Sequence, residues 1–113
     1  MCCRVIMNDI EKTIYYNNLL SIYGGLLTDV QKEILGEYYE VNLSISEIAE
    51  NRGVSRAAIE DAIRKGTRKL NNFEATMKLY EKRLKQREIT AKIKQISENP
   101  TVLELIEELE DID

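Results

Sequence analysis

Apolar residues recur at three- and four-residue steps through most of the chain, the spacing of helices that bury one face. The first run is Ile10, Ile14, Tyr15, Leu19, Ile22 and Tyr23. Asn8 with Glu11 three residues on opens it with capping-box spacing, and Gly24-Gly25 weakens or ends it. Thr28 with Gln31 repeats the spacing ahead of a second helix over residues 29–40, faced by Val30, Ile34, Leu35 and Tyr38. Ser44 with Glu47 opens a short third helix that reaches about Arg52. Beyond Gly53-Val54, Ser55 is placed to cap a fourth. Its apolar positions are Ile59, Ile63, Gly66, Leu70, Phe73, Met77, Tyr80 and Leu84, which alternate steps of four and three as a heptad seam does. A five-residue step then leads to Ile89, Ile93 and Ile96, a stutter that argues against a long uniform coiled coil. This one helix is expected to run through Asn71-Asn72 and to end at 97–99, before Pro100. Thr101 with Glu104 reads as the cap of a last helix, with Val102, Leu105, Ile106 and Leu109 on one side and acids on the other. No strand pattern or internal repeat appears, so the expectation is an all-α chain of about six helices. It is expected to be a single domain over 1–113, with a core at 8–70 and a helical tail at 71–113.

Residues 44–65, SISEIAENRGVSRAAIEDAIRK, carry the most specific local pattern. A helix-turn-helix needs a short helix, a tight turn and a second helix that crosses closely. Ala49 is small where the helices cross, Ile48 points inward, and Gly53 stands where the backbone turns with positive φ. Val54 is expected to plug the corner, and Ile59 and Ile63 to bury against Ile48. An ordinary helical hairpin draws on the same glycine and small residues, so the pattern favours the fold more strongly than it does DNA binding.

Composition narrows the chemistry. The chain is 113 residues, 43% hydrophobic and 32% charged, too apolar for a disordered tail. No apolar run approaches the roughly 20 residues of a spanning helix, and no signal-peptide core is present, so a cytoplasmic protein without membrane insertion is expected. The absence of His removes imidazole catalysis and His-based metal sites. Cys2 and Cys3 are adjacent, with side chains that diverge, and are expected to stay reduced; Met7 is an alternative initiator. The carboxylate pairs Glu60-Asp61, Glu107-Glu108 and Glu110-Asp111 point about 100° apart on a helix and do not converge on one atom. Tyr15-Tyr16 and Tyr38-Tyr39 read as half-buried rings with solvated hydroxyls. Neither an enzyme nor a cofactor or metal site is expected.

Net charge is −4, which taken whole argues against a nucleic-acid partner. The charge is segregated, however. Residues 1–43 carry three basic and six acidic residues, residues 44–95 carry 13 and seven, and residues 96–113 carry seven acids and no base. The basic middle contains the helix-turn-helix pattern.

Residues 27–70, LTDVQKEILGEYYEVNLSISEIAENRGVSRAAIEDAIRKGTRKL, resemble region four of bacterial sigma factors. From Ile10 to the acidic end, the chain is similar to the YlxM-like family of small bacterial helix-turn-helix proteins. LLTDVQ at 26–31, EIA at 47–49 and GVSRAAI at 53–59 carry the likeness. The resemblance implies a wingless sigma region four-like fold with a long C-terminal helical extension. It also implies a cytosolic role beside the signal recognition particle protein Ffh and its receptor FtsY, in whose gene neighbourhood the family is encoded.

A helix-turn-helix offers the N-terminal half of its second helix to the major groove of double-stranded DNA. Ser55, Arg56 and Ala57 occupy the start of that helix, and Arg64, Lys65, Arg68 and Lys69 are placed to hold phosphates. Glu60 and Asp61 on the same face oppose this, because carboxylates repel phosphate, although Glu accepts a hydrogen bond from cytosine. The alternative partner is Ffh or the particle RNA, met by the basic strip at 64–94. The stripe Leu70, Phe73, Met77, Tyr80 and Leu84 is expected to serve either intrachain packing or a homodimer. The acidic C-terminal segment has two readings as well: a solvated face, or a mask folded over the basic strip.

Overall fold

The computed structural model describes residues 8–112. Cys2, Cys3 and the Met7 start therefore lie outside the described residues. Six α-helices follow one another: α1 (Asp9–Tyr23), α2 (Asp29–Tyr39), α3 (Ile45–Arg52), α4 (Arg56–Met77), α5 (Leu79–Ile96) and α6 (Pro100–Asp111), with a 3₁₀ turn at Gly24–Leu26. There is no strand among the described residues, so the all-α reading holds. No described helix is long and apolar enough to cross a membrane.

The helix starts follow their capping residues. Thr28 and Ser44 form complete boxes with Gln31 and Glu47. Asn8 makes half of one, accepting from the Glu11 N–H at 2.8 Å. At α6 the cap is Asn99 rather than Thr101: its side chain accepts from the Thr101 N–H at 2.9 Å, with Pro100 at the first turn. Proline there forgoes only an N–H that the helix leaves unpaired in any case.

The chain divides into two compact units, Met1–Met77 and Lys78–Asp113. In the first, α1, α2, α3 and α4 enclose Leu19, Leu35, Ile48, Ile59 and Leu70, all at most 1% exposed. The core of α1 is Tyr16, Leu19, Leu20 and Tyr23, whereas Ile10 and Ile14 are exposed, which rotates the expected face. Burial follows the side on which α2 and α4 lie, and Tyr16 and Tyr23 fill it. The Tyr16 hydroxyl exchanges hydrogen bonds with Asn71, and the Tyr39 hydroxyl lies 3.3 Å from that of Thr67. These two hydroxyls thus have protein partners, not the solvent expected for them. The Tyr16 and Tyr39 rings stack at 5.2 Å. Tyr23 donates to Glu74 at 2.7 Å and packs on Phe73 at 5.8 Å, which extends the expected core from residue 70 to Met77.

The expected continuous fourth helix is interrupted. Asn71-Asn72 leave it intact, but Lys78 has φ 54°, and the helix resumes only at Leu79. The left-handed conformation cannot carry the α-helical hydrogen-bond ladder forward. The proposed dimer stripe is therefore split: Leu70 is buried in the first unit, Phe73 packs on Tyr23, Met77 ends α4, and Tyr80 and Leu84 belong to α5. In the second unit α5 packs on α6, with Thr90 and Ile106 buried.

Candidate nucleic-acid interface

The turn between α3 and α4 is built as its glycine requires. Gly53 has φ 66° and ψ 34°, the left-handed cap, and its N–H bonds back to the Ala49 and Glu50 carbonyls. The Val54 N–H adds a bond to the Ala49 carbonyl at 3.1 Å. Ser55 Oγ then accepts the Ala58 N–H at 3.1 Å and opens α4. Ile34, Ile48, Ala49 and Ile59 form the buried cluster under the turn, with Ile63 partly buried against it. Val54 does not plug this corner; it is 47% exposed, because Ile34 of α2 fills the space beneath. Arg52 closes the other side by pairing with Glu37 and, at 3.7 Å, with Glu33 of α2.

With Ile59, Gly66 and Leu70 buried, the 3.6-residue period turns Ala57, Asp61, Arg64, Lys65 and Arg68 outward. Ser55, Arg56, Ala57, Arg64, Lys65, Arg68 and Lys69 are all exposed, Ser55 and Arg56 at the N-terminal end of α4 and the others along its length. Their surroundings differ. Asp61 pairs with Arg64 and, at 3.0 Å, with Lys65. The Lys65 hydrogen bond leads in holding the Asp61 carboxyl below the usual carboxylate range, with the Arg64 guanidinium adding to it. Lys69 donates to Gln31 Oε1 at 3.1 Å, the same oxygen that accepts the Thr28 N–H in the cap of α2. Arg56, Arg68 and Glu60 make no ion pair among the described residues. The five cations Arg56, Arg64, Lys65, Arg68 and Lys69 thus stand against two carboxylates, one of them already neutralised within the helix. The i,i+3 and i,i+4 spacing of Asp61 with Arg64 and Lys65 is legible in the sequence. The Gln31–Lys69 hydrogen bond between α2 and α4 is not.

The model of the family described as "Putative helix-turn-helix protein, YlxM / p13 like" (UPF0122) matches residues 10–112. The chain belongs to this family. A UPF0122 protein of Fusobacterium nucleatum is 36% identical over 100 residues, covering 88% of this chain and 97% of its own length. UPF0122 proteins of Malacoplasma penetrans and Clostridium acetobutylicum are 43% and 42% identical over 89 and 84 residues. They cover 79% and 74% of this chain, and 80% and 72% of their own lengths. For this UPF0122 chain the family match spans both the helix-turn-helix and the α5–α6 segment, so the C-terminal helices belong to the family pattern.

Proposed function

We propose that this protein is a non-enzymatic helix-turn-helix regulator that binds double-stranded DNA through the N-terminal half of α4 and serves the signal recognition particle pathway. One observation carries the DNA reading: Arg56 and Arg68 are exposed on α4 and make no ion pair among the described residues, while Asp61 is neutralised by Arg64 and Lys65. Arg56, beside the Ser55 cap, is placed for a base edge or phosphate, and Ser55 keeps its hydroxyl hydrogen to donate while its oxygen caps the helix. Arg64 and Lys65 exchange Asp61 for phosphate, and Arg68 and Lys69 extend the interface along the backbone. The pathway assignment rests on the family resemblance.

Glu60 favours a second reading, because it is exposed near the start of α4 and has no ion-pair partner among the described residues. In that reading Ffh or the particle RNA meets the basic residues of α5, including Lys82, Arg83 and Lys85. Titration of labelled duplex DNA across a salt series separates the two. A linear loss of affinity with log salt is expected, its slope reduced by about 0.9 for each phosphate that Arg56→Ala or Arg64→Ala leaves unneutralised. Absence of duplex binding in the wild type overturns the DNA reading. Binding to purified Ffh or its RNA, abolished by charge reversal at Lys82, Arg83 and Lys85, establishes the other.

A further inference from the structure

The α5–α6 hairpin is short of a core. It lies within Lys78–Asp113 and buries only Thr90 and Ile106 among its described side chains. Units below about 40 residues rarely hold together without a metal, a disulfide or association. The hairpin nevertheless carries two apolar stripes at i, i+4, i+7 spacing that its own pairing does not use. On α5 the stripe is Ile89, Ile93 and Ile96; on α6 it is Leu105, Leu109 and Ile112. Ile89, Ile96, Leu105, Leu109 and Ile112 are 55%, 84%, 59%, 41% and 79% exposed. The two stripes meet where Ile89 and Ile93 of α5 and Leu109 of α6 line one groove of about 350 Å³, together with Thr90 and the side chains of Lys82, Lys85 and Gln86. Exposed apolar stripes on two adjoining helices mark an association surface.

We infer that this face binds the same face of a second copy of the chain, so that two α5–α6 hairpins close into a four-helix bundle. Charge identifies the occupant and the register. Lys85 and Lys92 border the stripe of α5, with Glu88 beside Lys92 on the same side, whereas α6 has no basic residue and its stripe is bordered by Glu104 and Glu108. Lys92 also reaches Glu88 on its own helix, at 3.6 Å and largely exposed, a pair weak enough to exchange. A two-fold axis parallel to the helices lays each α5 against the partner's α6, antiparallel, and brings the lysine border of one copy to the glutamate border of the other. The alternative two-fold, which stacks α5 on α5, sets lysine against lysine and is disfavoured by repulsion. The surface is therefore complementary to itself in one arrangement, and the bundle core is built from Ile and Leu as in other helical bundles. Within each hairpin, the Lys94–Glu110 pair and the Thr90–Glu110 hydrogen bond hold α6 on α5 and leave the stripes free.

Light scattering and sedimentation equilibrium on the full chain at micromolar concentration test this directly. The expected mass is twice the 13.1 kDa of one chain. Ile96→Glu and Ile89→Glu/Leu109→Glu are expected to yield monomers. Ile96 is so exposed that its substitution leaves the fold intact, which circular dichroism checks. Lys85→Glu/Lys92→Glu is expected to raise the dimer dissociation constant about tenfold, and adding Glu104→Lys/Glu108→Lys is expected to restore it. A monomeric wild type, or a dimer indifferent to Ile96→Glu, overturns the inference. A dimer that breaks with Ile96→Glu but shows no rescue by the charge swap overturns the α5-on-α6 register.

Discussion

A β-carbon placed on Gly66 would stand 2.7 Å from Leu35 Cδ1, so α4 and α2 approach at this point more closely than any larger residue permits. Leu35 is fully buried, and its methyl cannot swing aside without repacking. Gly36, the next residue on α2, has open space where its β-carbon would go. The two helix-interior glycines should therefore answer alanine with opposite signs. Gly36→Ala is expected to stabilise by about 0.5–1 kcal/mol through helix propensity. In Gly66→Ala the same gain is outweighed by overpacking, for a net loss of about 1 kcal/mol. Urea unfolding midpoints that move in opposite directions check this.

Gly53 is a third case, set by backbone conformation. Its φ of 66° is one that a β-carbon disfavours, although space is open around it. Gly53→Ala is expected to cost about 1–2 kcal/mol with no loss of packing. Gly53→Asn is expected to recover part of it, since Asn tolerates the left-handed region. Both are read from thermal or urea melts.

Leu70 and Leu84 fall on one heptad seam but have different surroundings. Leu70 is wholly buried and Leu84 is 47% exposed. Leu70→Ala is expected to cost about 2–5 kcal/mol, and Leu84→Ala well under half of that. Equal losses in urea titrations would show that the seam packs as one continuous surface.

The two capping boxes differ in their response to acid. Ser44 donates its backbone N–H to Glu47 at 3.1 Å, and that bond leads in holding the Glu47 carboxyl below the usual carboxylate range. A carboxyl depressed in the folded state contributes stability above its unfolded pKa and loses it as pH falls through the folded value. The Thr28–Gln31 box carries no titrating group. Below about pH 4.3, protection of the Ser44 amide against hydrogen exchange is expected to fall relative to that of Thr28. Glu47→Gln is expected to abolish the difference.

Asp61 restrains Arg64 and Lys65, so its removal should strengthen their hold on phosphate. In the DNA reading, Asp61→Asn is expected to tighten duplex binding and steepen its salt dependence. Glu60→Gln has no cation to release and is expected to act through relief of repulsion alone. Fluorescence anisotropy at two ionic strengths distinguishes the two effects.

Much of the local architecture is legible in the sequence. Ser44, Gly53 and Ser55 mark the helix-turn-helix, because capping and positive φ are decided within a few residues. The outward set on α4 follows from its period. The break at Lys78 is not legible, since lysine carries no local signal for the left-handed conformation that it adopts there. Nor is the face of α1: Ile10 and Ile14 have the better hydropathy, but Tyr16 and Tyr23 are the residues that reach Asn71, Glu74 and Phe73.

Neighbours along the chain suffice to set the all-α class, the main helix starts, the turn at Gly53 and the segregation of charge. Packing between helices chose which members of an apolar stripe became core and which stayed at the surface. It placed Leu70 in the first unit and left Ile89, Ile96 and Leu109 at the surface of the second. Burial depends on what another element brings to a face, and periodicity specifies the face without its partner. Likewise, the spacing offers Arg64 to Glu60 at i,i+4 and to Asp61 at i,i+3, and the folded side-chain positions gave it to Asp61.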